Sequence, residues 1–214
     1  MRILLDIVPM GSFSFIKDQK EVSNCFELFF NYVRLLTVIP ESDQELCRDL
    51  FEPVFVEKNT IIESEGTIHN YHNFIVSGYM RNFHLNESHE EITTNINDGP
   101  RFFTSYNSFM HRKVSNENLH CVTDCKLLRI SRDNVDVAAR VGASQKEYTE
   151  KILQEYLESK KQHIIDLTTL SAKDRYLKLV ANHPSIIQNI PLTYIASYLG
   201  IKAGSLSRIR NEIS

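Results

Sequence analysis

No stretch of this chain approaches the roughly 20 consecutive apolar residues of a membrane-spanning helix, so neither a span nor a membrane partner is expected among its 214 residues. Met1 to Phe15 are mildly apolar but interrupted by Asp6, Pro9 and Gly11. Without a basic leader and an unbroken apolar core they do not read as a secretory signal, and a cytoplasmic protein is expected. Cysteine is also scarce. The four residues Cys25, Cys47, Cys121 and Cys125 are scattered, which does not suit a disulfide framework. Cys121 and Cys125 read better as small buried apolar residues than as a metal or redox pair. The histidines form no His-Glu-x-x-His pattern, and His69 and His72 have no cysteine or carboxylate cluster beside them; no metal and no cofactor is expected. No nucleophile–base pair and no phosphate-cradling glycine loop stands out, so the sequence does not read as an enzyme.

Charge is low overall but uneven. From Ser171 to the end, six basic residues face two acidic ones, a net +4, while the preceding part holds 18 basic against 25 acidic, a net −7. A basic end on an acidic body suits a small DNA-binding module joined to a sensor.

Three textures follow one another. From Glu21 to Leu50 the apolar residues Phe26, Phe29, Phe30, Val33, Leu36 and Ile39 recur at threes and fours, the helical spacing. Pro40 stops the run, and Glu41-Ser42-Asp43 reads as a cap before a short helix with Leu46 and Leu50. From Phe51 to about Ile130 short β-branched or aromatic runs alternate with turn signals, among them Lys58-Asn59, Ser77-Gly78 and Asn97-Asp98-Gly99-Pro100, which suggests a sandwich or barrel. Beyond Ser131, Asp133 or Asn134 is expected to cap a short helix through Val135 and Val137. A long helix from about Ser144 to Leu167 then carries the stripe Tyr148, Ile152, Leu153, Tyr156, Leu157, Ile164 and Leu167. That stripe packs on its own domain or pairs two copies; pairing is the favoured reading.

The final stretch carries the function. Ser171 is a good cap for a helix, with Asp174 placed to reach back. In Leu192 to Arg210, Ala196 is the small residue that two steeply crossing helices need. Gly200 tolerates the left-handed turn between them. Ile195, Leu199, Ile201, Leu206 and Ile209 supply the apolar contact. The second helix, starting after Lys202, leaves Ser205, Ser207, Arg208 and Arg210 outward. This reads as a helix-turn-helix whose second helix enters a major groove. Arg208 donates twice to a guanine edge, while Arg210, Lys202 and Thr193 hold phosphates. The bland alternative is a helical hairpin with a solvated basic face.

Ser171-Ala172-Lys173-Asp174-Arg175-Tyr176, Ile195-Ala196-Ser197-Tyr198-Leu199-Gly200-Ile201 and Leu206-Ser207-Arg208-Ile209-Arg210 together resemble the Crp/Fnr family of transcription regulators, and Ile75 to Arg81 is similar to that family's strand-turn-strand. The resemblance covers nearly the whole chain. It implies an α+β fold: a jelly-roll, cyclic-nucleotide-binding-like sensor over 21–142, a long dimerisation helix over 143–170, and a small all-α DNA-binding domain over 171–214. It also implies a homodimer reading an inverted repeat in double-stranded DNA, with Arg208 at the base-reading arginine. The sequence departs from the family in four ways. The loop from Gly99 to Lys113 lacks the glutamate that accepts the ribose hydroxyl. The following Arg-Ser-Ala element for the cyclic phosphate is missing. The N-terminal cysteine cluster is absent. The wing strands after the recognition helix are absent as well. Cyclic AMP is therefore not the expected effector. Arg101, Ser105, Tyr106, Arg112 and Lys113 are the candidate contacts for another small molecule. The competing reading is a small-molecule sensor whose helical end docks to a protein rather than to DNA.

Overall fold

The computed structural model describes residues 13–213; the reading of the N-terminal stretch therefore falls almost wholly outside the described residues. Nine strands, β1 (Phe13–Phe15), β2 (Phe51–Val56), β3 (Thr60–Glu63), β4 (Tyr71–Ser77), β5 (Tyr79–Leu85), β6 (Glu91–Asp98), β7 (Arg101–Phe103), β8 (Asn118–Cys121) and β9 (Cys125–Ser131), form two sheets among the described residues. Their orders are β1-β2-β9-β4-β7 and β3-β8-β5-β6, and the pairings are antiparallel.

The strand period of two distributes side chains between two cores. In β4, Ile75 lies between the sheets with Val54, Met80, Leu119 and Leu127, whereas its neighbours Phe74 and Val76 point to the outer face and meet Phe29, Phe30 and Phe51. In β9, Leu127 faces inward while Leu128 and Ile130 face the helices. Covering on both faces explains why these central strands read as nearly continuous apolar runs. Between β4 and β5 the chain changes sheets at Gly78, whose φ is +101°; a β-carbon there would collide with the Asp124 carbonyl and approach Cys125 Sγ to 2.7 Å. No side chain larger than hydrogen fits that turn.

Helix α1 (Gln19–Leu36) begins at Asp18, whose carboxylate accepts the Glu21 N–H at 2.8 Å, and buries Cys25, Phe26, Phe29, Phe30 and Val33. Helix α2 (Glu41–Leu50) starts directly after Pro40, so Glu41, Ser42 and Asp43 form its first turn instead of preceding it. Asp43 serves another helix. It is 6% exposed and accepts the Ala143 N–H at 3.2 Å and the Ser144 N–H at 2.7 Å, fixing the start of α5 (Gln145–Thr169). Burial alone would raise its pKa; the Ser144 hydroxyl, which also donates to it, and these two N–H groups outweigh burial and hold the carboxyl below its usual value. A short α3 (Tyr106–His111) follows β7. Helix α4 (Arg132–Val141) is capped by Ser131, which accepts from the Asn134 N–H at 3.2 Å, one turn earlier than the sequence suggested. Asn134 is occupied elsewhere, donating to the Leu50 carbonyl at 2.9 Å.

The stripe on α5 divides. Tyr148 and Ile152 pack into the core with Phe29, Phe74 and Phe102. Tyr156, Leu157, Ile164 and Leu167 are exposed, Leu157 by 65%. Its first half thus packs on its own domain, and its second half leaves Leu157 and Ile164 more than half exposed.

Candidate nucleic-acid interface

Four helices follow: α6 (Ala172–Asn182), α7 (Pro184–Asn189), α8 (Leu192–Tyr198) and α9 (Ala203–Ile213). Ser171 Oγ accepts the Asp174 N–H at 3.1 Å, the cap expected from the spacing, while the Asp174 carboxylate reaches back to the Ser171 hydroxyl, accepting from Oγ at 2.6 Å, and not to its backbone N–H. Pro184 occupies the first turn of α7, where its missing N–H costs nothing. The α8–α9 turn is a Schellman closure. Gly200, at φ +62°, donates to the Ser197 carbonyl at 3.0 Å, and Ile201 donates to the Ala196 carbonyl at 2.9 Å. Ile195, Ala196, Leu199, Ile201 and Leu206 close the core beneath it. Arg175 is fully used inside the module: its Nε donates to the Leu199 carbonyl at 2.8 Å and its Nη1 to the Leu170 carbonyl at 2.7 Å. That guanidinium ties α6 to the turn and to the end of α5.

This frame sets the face of α9. Leu206 is 0% exposed and anchors the helix, while Ser207, Arg208 and Arg210 are exposed and Ser205 is half-buried. Arg208 lies along its own helix, Nε donating to the Gly204 carbonyl at 3.4 Å. Lys202 is exposed just ahead of α9, and Thr193 is exposed in the first turn of α8. The eleven residues of α9 make a rod about 16 Å long. The structure therefore brings Lys202, Ser207, Arg208 and Arg210 onto one solvent-facing helix and its lead-in, with Thr193 on the neighbouring helix.

Sequence reasoning missed how the module is seated. β6 is the edge strand of its sheet, and an uncovered edge presents unpaired backbone groups. Helix α8 covers it. Ser197 Oγ accepts the Thr93 N–H at 2.9 Å and donates to the Glu91 carbonyl at 3.3 Å, so one hydroxyl stands in for a neighbouring strand. Beside it the Tyr194 ring lies 3.4 Å from the Arg81 guanidinium. Arg81 is 1% exposed. It donates to His120 Nδ1 at 2.9 Å and Thr93 Oγ1 at 3.1 Å and pairs with Glu91. Burial, assisted by Arg81, depresses the His120 pKa to about 4, so the imidazole acts as a neutral acceptor. Further contacts are Asn189 Nδ2 to Tyr79 Oη at 3.1 Å, Ser185 Oγ to Asp98 Oδ2 at 3.1 Å, and Tyr198 stacked on His163 of α5 at 4.3 Å. Ile96 and Val122 of the roll join the same apolar cluster as Tyr176 and Ile195. The one available signal was Arg81 itself, a lone cation among the apolar residues of a strand.

The five candidate effector contacts separate. Arg101 and Tyr106 line a cavity between β7, α3 and α5. Ser105 is buried and donates to Glu117 Oε1 at 2.7 Å. Arg112 faces Asp133 at 3.6 Å and Asp136 at 4.0 Å, and Lys113 offers its carbonyl to Ser108 at 2.7 Å. Glu117 also accepts from Asn82 Nδ2 at 2.9 Å. A carboxylate therefore sits among these hydroxyl and amide donors. Lys160 of α5 closes this region, its Nζ donating to the Thr94 carbonyl at 3.1 Å. Burial lowers its pKa to about 8, against the opposing pull of Glu117.

Neither family models nor curated proteins match this chain. Solved structures do. FixK2 from Bradyrhizobium japonicum superposes with a TM-score of 0.66 at 14% identity, over 77% of this chain and 84% of that one. A transcriptional regulator of the Crp/Fnr family from Eubacterium rectale gives 0.65 at 18% identity, over 88% and 87%. CLP from Xanthomonas campestris, a c-di-GMP responsive global regulator, gives 0.63 at 14% identity, over 81% and 91%. At these identities the likeness establishes the fold: this chain has the architecture of the Crp/Fnr regulators, a double-sheet roll, a long helix and a C-terminal helix-turn-helix. Among the described residues no helix is long and apolar enough to cross a membrane.

Proposed function

We propose that the chain is a DNA-binding transcription regulator of the Crp/Fnr type, with a sensor over 21–142, a pairing helix over 143–170 and a DNA-binding module over 171–214. The observation that carries this is α9. Its apolar side is anchored by a fully buried Leu206, and its outer side presents hydroxyls and Arg208 to solvent, the arrangement that base-edge reading in a major groove requires. The exposed Tyr156, Leu157, Ile164 and Leu167 support pairing through the second half of α5, since such a stripe is covered when two copies associate. A twofold dimer sets two recognition helices about one duplex turn apart, near 34 Å, and reads an inverted repeat.

Two observations support an effector other than cyclic AMP: the loop from Gly99 to Lys113 lacks the ribose-accepting glutamate, and the Glu117 carboxylate is held beside that loop by Ser105 and Asn82. Selection of bound duplexes from a random pool tests the reading. The expected result is a symmetric consensus bound with an affinity that falls steeply with salt through counterion release and does not change with cyclic AMP. Absence of binding to any duplex at low ionic strength overturns it in favour of docking to a protein, which would vary little with salt.

A further inference from the structure

The cavity beside Arg101 has a volume of about 510 Å³ and lies between β6–β7, α3, α4 and the first half of α5. That is the size of a small-molecule site, and it has two distinct ends. Phe102, Phe109, Tyr148 and Tyr156 give it an aromatic wall. His72 adds to that wall: its ring lies 5.0 Å from Phe102 and 5.5 Å from Phe109, and burial drops its pKa to about 4, so it brings no charge.

The other end is polar and made of donors. Asn97 is 4% exposed. Its Oδ1 accepts from Arg101 Nη1 at 3.3 Å, and its Nδ2 has no hydrogen-bond partner. Asn97 thus holds a guanidinium at the edge of this space, which Lys160 also lines. Three carboxylates, Asp136 of α4 and Glu150 and Glu155 of α5, also line the cavity. Lys146 is paired with Glu150 at 3.9 Å and Asp136 with Arg112 at 4.0 Å, so Arg101 and Lys160 face Glu155 as the remaining carboxylate of the lining, and that cationic surplus suits an anionic acceptor.

We propose that this cavity binds a hydrophobic carboxylic acid, its carboxylate held by Arg101, which Asn97 Oδ1 positions, and its apolar body lying along Phe102, Phe109 and Tyr148. The cavity lies beside the hydroxyl and amide cluster around Glu117, since Ser105, Ser115 and Glu117 are not among its walls. The site stands whether or not α9 reads DNA, and its test uses no DNA. The full chain is titrated calorimetrically with octanoate and with octan-1-ol, which share a body and differ in the head group. Saturable binding of one octanoate per chain is expected, with the alcohol weaker by about tenfold or more, the ratio a charge-assisted hydrogen bond supports. Ala139→Trp puts an indole at an exposed position on the α4 wall of the cavity, away from β6 and β7 in the chain. It should abolish octanoate binding and leave the unfolding temperature of the free protein unchanged. Asn97→Leu should narrow the difference between acid and alcohol; should that variant fail to fold, Ala139→Trp still decides. No saturable heat with octanoate, equal affinity for the alcohol, or undiminished binding by Ala139→Trp would each overturn the proposal.

Discussion

Replacing Tyr194 by Leu, alone and together with Arg81→Met, measures what seats the C-terminal helical module on the roll. The Tyr194 ring lies 3.4 Å from a guanidinium that is 1% exposed, so the attraction is desolvated and falls at the upper end for its kind, about 2 kcal/mol. The edge contact of Tyr194 with His120, at 6.1 Å between ring centres, adds about 0.5 kcal/mol. Leu keeps most of the apolar area, so Tyr194→Leu should weaken docking by about 2–2.5 kcal/mol, some thirtyfold or more in the docking equilibrium. Arg81→Met costs more, about 3 kcal/mol, because it strands Glu91, Thr93 and His120. The double variant should then be less destabilised than the two singles added together, by about 1–2 kcal/mol.

The Thr93 amide supplies the readout. Its N–H is held across the junction by Ser197 Oγ at 2.9 Å, so native-state hydrogen exchange at that one proton reports undocking without global unfolding. Tyr194→Leu should accelerate its exchange by the stated factor and leave amides inside the β4–β9 pairing unchanged. Exchange at Thr93 equal to the parent's, or single effects that add within about 0.4 kcal/mol, would refute the claim that this stacked pair holds the module in place.

Four further outcomes are expected. Arg208→Ala should weaken specific DNA binding by ~1–3 kcal/mol per half-site and relax the sequence preference, while binding to unrelated duplex changes little; quantitative gel shifts on both duplexes check it. Leu206→Ala removes a 0%-exposed side chain from beneath α9 and should cost ~2–5 kcal/mol, seen as a lowered urea midpoint for the C-terminal helices. Leu157→Glu places a charge on the exposed α5 stripe and should shift the sedimentation of the full chain from dimer to monomer without changing its helix content. His72 and His120 are each depressed to about 4 from 6.5. A base whose folded pKa is lowered stabilises the fold fully above its unfolded pKa and loses that contribution as pH falls toward the folded one. The thermal midpoint should therefore drop between pH 6.5 and 4, and His72→Phe should flatten part of that drop.

Elements governed by local periodicity were legible in the sequence because their signals come from residues three or four apart. The α8–α9 turn at Gly200, the Ser171–Asp174 cap and the Pro40 break follow from backbone geometry alone. Caps whose partner comes from far along the chain were not legible. Asp43 looked like a cap for its own helix, yet its carboxylate binds N–H groups 100 and 101 positions away. Likewise the α5 stripe looks uniform in sequence, and only the approach of α1 and β7 to its first half divides buried Tyr148 from exposed Leu157.

The residue pattern by itself therefore determined the order of roll, long helix and helical end, and the exposure of Ser207, Arg208 and Arg210 on α9, because amphipathic spacing and a left-handed glycine constrain the chain before any distant contact forms. Tertiary structure decided what α8 covers, which cations are spent inside the molecule and where the cavity lies. The reason is physical: a sheet edge, a buried guanidinium and an enclosed space are each built from segments remote in sequence, and no local rule ranks those pairings. Ser197 shows the difference, a polar residue on a short helix until the Thr93 N–H on the free side of an edge strand meets it.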